Sequence, residues 1–353
     1  MELLQRILSS EIDNLTSSNS EGAVNSRSDL LFLQSLYSTV TVVIIALPSF
    51  FHPYLSALLS SLWRYASYHY RSKGTHSKEQ NGVMQTIDIC VTTIGNYISP
   101  RMLLPISLAS VDEVFKSGHE ITLKFVQMLR SVAEKSERGS VVSSMSKWLS
   151  VSQALLDYRR AYGDHSVASE AVENAVHAVV CELCLKFTEA ELKAFMTQLN
   201  DWKNKSDPRE ARIWTREARF VAYYGLQQRL LEKLQSLYFS TMALFWHEVP
   251  ETLKYVAKQA KKVISNGDDE FFVATSSTKK RKRNAAEDTS IDDVNRSLLD
   301  ELVALGGLAL SCVHLLCASS EVAFITEVGL LPFRRSQACV YSSSSFFLSL
   351  GTL

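Results

Sequence analysis

Glycine and proline are scarce in this chain, 13 and 7 among 353 residues. Hairpins need turn residues, so the shortage argues against β-sandwiches and barrels and favours helices. Net charge is also lacking: 37 Lys+Arg balance 37 Asp+Glu. A balanced chain has no global field directed at nucleic acid or a membrane, so any such contact must come from a local patch. Phosphate-binding glycine loops, HExxH, GxSxG and the kinase motif set are missing. The eight histidines are dispersed; His177 lies in an apolar helical run, and His247-Glu248 beside Trp246 lacks a partner spaced for metal or acid–base work. Catalysis needs a constellation of groups, and none is nominated here. The expectation is a non-enzyme with no cofactor, no metal site and no small-molecule substrate.

The six cysteines are Cys90, Cys181, Cys184, Cys312, Cys317 and Cys339. Their spacing makes no disulfide framework, and apolar neighbours surround most of them, which points to reduced thiols. Cys181 and Cys184 form one CxxC. Without a second Cys or His pair it cannot complete a tetrahedral zinc site. It also lies in a helical run, not at a strand-to-helix turn, so two core thiols are expected.

The opening MELLQRILSSEIDN is polar and acidic within its first turns, unlike a secretory signal. Residues Leu30 to Trp63 carry no Asp, Glu, Lys or Arg, long enough to span about 30 Å of hydrocarbon. Pro48 and Pro53 interrupt the run, and Gln34, His52 and several hydroxyls are scattered through it. A helix, a proline turn and a second amphipathic helix account for it better, so no membrane partner is expected.

Helical segments are expected in pairs. Residues 1–28 begin with a short amphipathic helix (Leu3, Leu4, Ile7, Leu8, Ile12) and become a polar loop. Asp29–Leu47 pairs with Pro53–Tyr70, followed by a polar linker over Arg71–Gly82. Val83–Ile98 pairs with Met102–Lys116 around Pro100. Gly118–Glu134 pairs with Val141–Tyr162, and Gly163–Ser166 turns. Val167–Lys186 pairs with Glu189–Lys203, and Arg209–Lys262 makes a long fifth unit. Pairs recurring every 40–50 residues have the HEAT-type period. One pair cannot bury apolar faces on two sides, whereas a row of pairs can. The predicted fold is therefore all-α, a HEAT-like solenoid of stacked antiparallel helix pairs. Its divisions are 1–28, helix pairs over 29–163, a further helical domain over 164–265, a charged disordered linker over 266–296, a helix over 297–320 and an irregular tail over 321–353.

The stretch from Cys184 to Val249 is the most informative. Thr188 can cap a helix, with Glu191 completing a capping box. Leu192, Phe195, Met196 and Leu199 then share one face. Asp207 and Pro208 are a natural N-cap and first helical residue. Tyr223, Leu226, Leu230, Leu234 and Leu237 form a second stripe. Lys186, Thr188, Glu189, Phe195, Leu199, Asp201 and Trp202, then Tyr224, Leu226, Leu230, Glu232, Lys233, Leu234, Ser236 and Leu237, together resemble the C-terminal domain of the HEAT-repeat-containing protein 1 family. ISPRMLLP at Ile98–Pro105 is similar to that family's helix joints, and the likeness covers roughly residues 80–320. The resemblance implies a nucleolar scaffold of ribosome biogenesis. Its expected setting is the small-subunit processome, with other processome proteins, snoRNP and pre-rRNA as partners. Family members are very long, so the chain reads as a fragment or truncated form. The tail after Glu327 departs from the pattern, with a serine run and no acidic residue, which leaves the array without polar end caps.

The charged linker holds Lys279, Lys280, Arg281, Lys282 and Arg283 in one run. Five consecutive cations repel one another on a folded face and belong in exposed chain. The run fits the acidic groove of an import receptor, or phosphates. Arg209, Arg212, Arg216 and Arg219 recur every three to four residues and would line one helix face, a second possible phosphate-facing stripe. Trp202 is expected to pack at its helix end, with Asp201 capping or salt-linking. Two rival readings are an α-solenoid adaptor in nuclear transport or trafficking, and a membrane protein anchored through residues 30–63.

Overall fold

A computed structural model of the protein describes residues 27–71, 77–161, 166–205, 215–235, 238, 241, 245–273 and 285–319, with backbone alone at 215–216, 263–273, 285–297 and 317–319. Among the described residues there are helices and turns and no strand. The chain divides into two compact units, Met1–Leu226 and Gln227–Leu353.

In the first unit α1 (Arg27–Ala46) and α2 (Leu55–Arg71) are joined through a 3-10 turn at Pro48–Phe51. Then follow α3 (Lys78–Tyr97) and α4 (Pro100–Ser117), α5 (His119–Lys135), the short α6 (Arg138–Ser143), α7 (Met145–Leu156) and α8 (Tyr158–Ala161). The series continues with α9 (Val167–Cys184), α10 (Glu189–Asn204) and the start of α11 (Thr215–Leu234). One layer is built by α1 on α3, α3 on α5 and α5 on α9; the other by α2 on α4, α4 on α7 and α7 on α10. The first helices of successive pairs begin at residues 27, 78, 119 and 167. That alternation is the HEAT-like solenoid, and it is all-α as the scarcity of turn residues predicted.

Between the layers lie fully buried large side chains. Trp63 of α2 meets Phe125 of α5 edge-on at 5.9 Å between ring centroids, and Tyr37, Trp148, Phe195 and Leu199 are likewise buried. Each such side chain contributes about 1.5–3 kcal/mol of hydrophobic stabilisation. Two joints are set locally. Pro100 opens α4 after an extended Ser99, and Gly118 joins α4 to α5 at φ +113°, a conformation side chains avoid.

Two boundaries differ from expectation. α3 starts at Lys78, inside the predicted linker, because Ser77 and Gln80 form a full capping box. The expected single helix over Val141–Tyr162 is broken into α6, α7 and α8. At Ser144 the backbone closes an i→i+3 bond to Val141 before α7 resumes.

In the second unit α12 (Glu248–Val273) packs on α13 (Ala285–Ser319). On α13 Leu302, Leu305, Ala309, Cys312 and Leu316 are buried at alternating spacings of three and four. The helices run further into the charged segment than its composition predicted, since Lys, Glu and Ala favour helix without an apolar stripe. The five-cation run, residues 1–26 and the tail from 320 lie outside the described residues. Two helical stretches are long and apolar enough to cross a membrane, Arg27–Ala46 and Leu298–Leu316.

Candidate functional site

The family-like block begins at the joint between α9 and α10, where α9 ends at Cys184 and Thr188 caps α10. The Thr188 backbone N–H donates to Glu191 Oε2 at 2.7 Å, and its hydroxyl donates to the same oxygen at 2.8 Å. The Glu191 N–H closes the box on Thr188 Oγ1 at 3.4 Å. Arg138, the first residue of α6, donates to both Glu191 oxygens, at 3.2 and 2.9 Å. The Thr188 backbone donor, then its hydroxyl, then Arg138 pull the Glu191 carboxyl down to about 2. Arg138 Nε also donates to the Lys186 carbonyl at 3.1 Å.

Lys186 completes the joint from the other direction. Its Nζ donates to the carbonyls of Ala133 at 2.6 Å, Glu134 at 2.8 Å and Ser136. These belong to the last turn of α5 and the residue after it, where helical carbonyls lack intrahelical partners and carry the negative end of the dipole. Burial lowers the Lys186 ammonium below the ordinary lysine value, opposed by Glu182 and Glu134. Lys186 and Thr188, two of the family-like positions, thus clamp α5, α6 and α10 together across about 50 residues of sequence.

A second cluster forms where α10 ends. Arg219 Nε donates to Asp157 Oδ1 at 2.8 Å, and its terminal nitrogens reach Asp157 Oδ2 at 3.1 Å and the Lys205 carbonyl at 2.8 Å. The guanidinium carbon stands 5.5 Å from the ring centre of Trp202. Trp202 therefore packs at the helix end as expected, while Asp201 is exposed. Lys203 is buried, its Nζ 4.4 Å from the Tyr223 ring centre and 4.9 Å from that of Phe220.

This geometry corrects the arginine stripe. Arg219 is only 9% exposed and bidentate to a carboxylate, so it faces the protein and not a phosphate. Arg209 and Arg212, and the side chain of Arg216, lie outside the described residues, as do Asp207 and Pro208. The other family-like positions divide between core and surface. Phe195, Leu199, Leu230 and Leu234 are buried, whereas Glu189 pairs with Lys193 at 2.6 Å. Glu232 accepts from Gln228 at 3.1 Å, and Lys233 is exposed.

Among the described residues no group of three or more His, Cys, Asp or Glu could hold a metal ion. Cys90, Cys181, Cys184 and Cys312 are free and buried. Burial pushes the Cys90 and Cys312 thiols up to about 12 and raises Cys184 well above its ordinary value. His177 anchors a close helix contact: its Nε2 lies 3.1 Å from the Ala222 carbonyl.

The BP28CT (NUC211) domain matches residues 140–324, more than half of the chain and all of the Lys186–Leu237 block. This chain belongs to the BP28CT (NUC211) domain family. Human HEAT repeat-containing protein 1 is 21% identical over 209 residues, which cover 59% of this chain and 9% of that protein. The chain thus spans a small fraction of its relative's length. The two findings carry the resemblance to that protein's family, although the domain match starts at residue 140, later than the expected residue 80. No solved structure matches the chain.

Proposed function

We propose that this protein is a non-catalytic scaffold of ribosome biogenesis, acting in the nucleolus within the small-subunit processome. The carrying observation is the BP28CT (NUC211) domain over residues 140–324 on a stack of helix pairs. In this reading the ridges and grooves of the pairs hold other processome proteins and snoRNP components, supporting pre-rRNA transcription and processing. Polar joints such as Lys186–Ala133 and Arg138–Glu191 keep the pairs in register, so that the surface is presented rigidly. Buried, protonated thiols and the dispersed histidines are in keeping with binding and not chemistry.

The cation run Lys279, Lys280, Arg281, Lys282 and Arg283 serves as the import-receptor ligand and a secondary pre-rRNA contact. The test is the position of the fluorescently tagged chain in cells, with and without Ala at all five positions. Nucleolar accumulation abolished by the five substitutions is the expected result. A nucleolar signal that persists would remove the import role alone. Diffuse cytoplasmic or reticular signal in both forms, with resistance to carbonate extraction in the latter case, would overturn the ribosome-biogenesis reading.

A further inference from the structure

Arg27 pairs with Glu79 of α3 at 3.0 Å, and a methyl at Gly82 of α3 would touch Gln34 at 3.3 Å. The α3 side of α1 is therefore the one that carries residues 27 and 34. At about 100° per residue, the opposite side carries Phe32, Leu36, Thr39, Val43 and Ala46, at spacings of four and three. Among the described residues no further helix of that layer follows on this side. Phe32 is 46% exposed, Thr39 and Ala46 are exposed, and Leu36 and Val43 are partly so. No Asp, Glu, Lys or Arg occurs between Leu30 and Trp63, so an ionic partner finds no complement here. The Thr39 hydroxyl already donates to the Ser35 carbonyl at 2.9 Å. Covering it leaves that donor satisfied, and the face can be buried as an apolar one.

This stripe is its own complement. Turned end for end about Thr39, it sets Phe32 against Ala46 of a second copy and Leu36 against Val43 of that copy, each to within about 1.5 Å, one residue's rise. A large ring meets a small side chain at both ends, and Thr39 meets its own counterpart in the middle. That is the pattern of an isologous contact, in which the same patch serves both copies. The absence of charge matters again, because a charge near the axis would face itself. An antiparallel contact along the 20 residues of α1 is about 30 Å long and buries roughly 1,000–1,200 Å² in total, the low end of specific interfaces. The area suits a dimer that dissociates in the micromolar range.

We propose that two copies of this chain associate through α1, antiparallel, with Thr39 on the two-fold axis and Phe32 of each copy seated over Ala46 of the other. The occupant of the open face is then a second copy, and the contact continues the helix-on-helix packing of the α1–α3–α5–α9 layer from one copy into the next.

The experiment is sedimentation of the full chain over a range of concentrations, alone and with Thr39→Asp or Ser38→Asp. Thr39→Asp sets two carboxylates face to face on the axis and should raise the dissociation constant at least about a hundredfold. Ser38→Asp, next along the helix but off the stripe, should leave it unchanged. Both positions are exposed, and circular dichroism verifies that both variants stay folded. Oxidative cross-linking then reads the register, with the linked peptide identified by mass spectrometry. Thr39→Cys should link copy to copy at least about tenfold faster than Phe32→Cys, whose two positions lie about 21 Å apart in the antiparallel pair, beyond disulfide reach. A chain that stays monomeric up to about 100 µM overturns the proposal. A dimer indifferent to Thr39→Asp overturns it too, as does equal linking through positions 32 and 39. A monomer that binds phosphatidylcholine vesicles, and loses them on Thr39→Asp, assigns the face to a membrane instead.

Discussion

Lys186 Nζ donates to the Ala133 carbonyl at 2.6 Å, linking the joint inside one helix pair to the joint inside the next. A lysine placed just after α9 thereby adds a charged donor to the end of α5, where Ser136 already bonds the Val132 carbonyl through its backbone N–H and its hydroxyl.

Lys186→Met is expected to destabilise the first unit by about 1–3 kcal/mol, because three carbonyl acceptors lose a charged donor. Lys193→Met, which removes only an exposed pair within α10, is expected to cost under about 0.5 kcal/mol. Urea unfolding of both variants tests this; equal effects would contradict the clamp.

Glycines at helix crossings provide a second test. A methyl at Gly95 of α3 would lie 2.9 Å from the Met128 carbonyl oxygen of α5, and one at Gly225 of α11 would lie 2.8 Å from His177 Cε1 of α9. The Met128 oxygen is backbone, and His177 is held by the Ala222 carbonyl, so neither yields freely. Gly95→Ala and Gly225→Ala are each expected to cost about 1–3 kcal/mol. Gly139→Ala, with nothing within 4 Å of its added methyl, should instead be neutral or stabilising by up to about 1 kcal/mol. Thermal melting of the three variants checks the sign difference.

Acid should weaken the α9–α10 joint through Glu191. Its carboxyl is lowered from 4.5 to about 2 by Thr188 and Arg138, so the folded state holds its proton less tightly than the unfolded chain. The contribution is therefore complete above the ordinary glutamate range and is lost as pH falls towards 2. Glu191→Gln should flatten the fall in stability between pH 4.5 and 2. An unchanged pH profile would show that this box carries no linked proton.

The Arg219–Asp157 pair is expected to behave as a structural unit. Arg219→Met or Asp157→Asn alone should cost about 2–3 kcal/mol, since each takes the bidentate partner from a largely buried charge. The double variant should cost clearly less than the sum, as contacting residues do in a double-mutant cycle. Additive losses measured in urea would mean that the two groups act separately.

Local sequence determined the helices and many of their ends. Pro100 opens α4 after a residue that cannot continue a helix easily, Thr188 and Glu191 cap α10, and Leu192, Phe195, Met196 and Leu199 face the core. These are short-range effects of backbone donors and of the 3.6-residue repeat, so spacing alone reveals them. The Ser77–Gln80 box was legible by the same rule, although the polar residues around it read as linker. The recurring pairs also implied the solenoid, because apolar faces on two sides require stacking.

Tertiary structure decided what each charged residue does. By spacing Arg219 belongs to a basic stripe, yet Asp157, 62 residues earlier, turns it into a buried ion pair. Lys186 caps a helix that ends about 50 residues before it, and Gly95 and Gly225 matter through neighbours in other helices. No local pattern carries this information, because long side chains choose partners by distance in space. Which helices come close is fixed only when the layers pack.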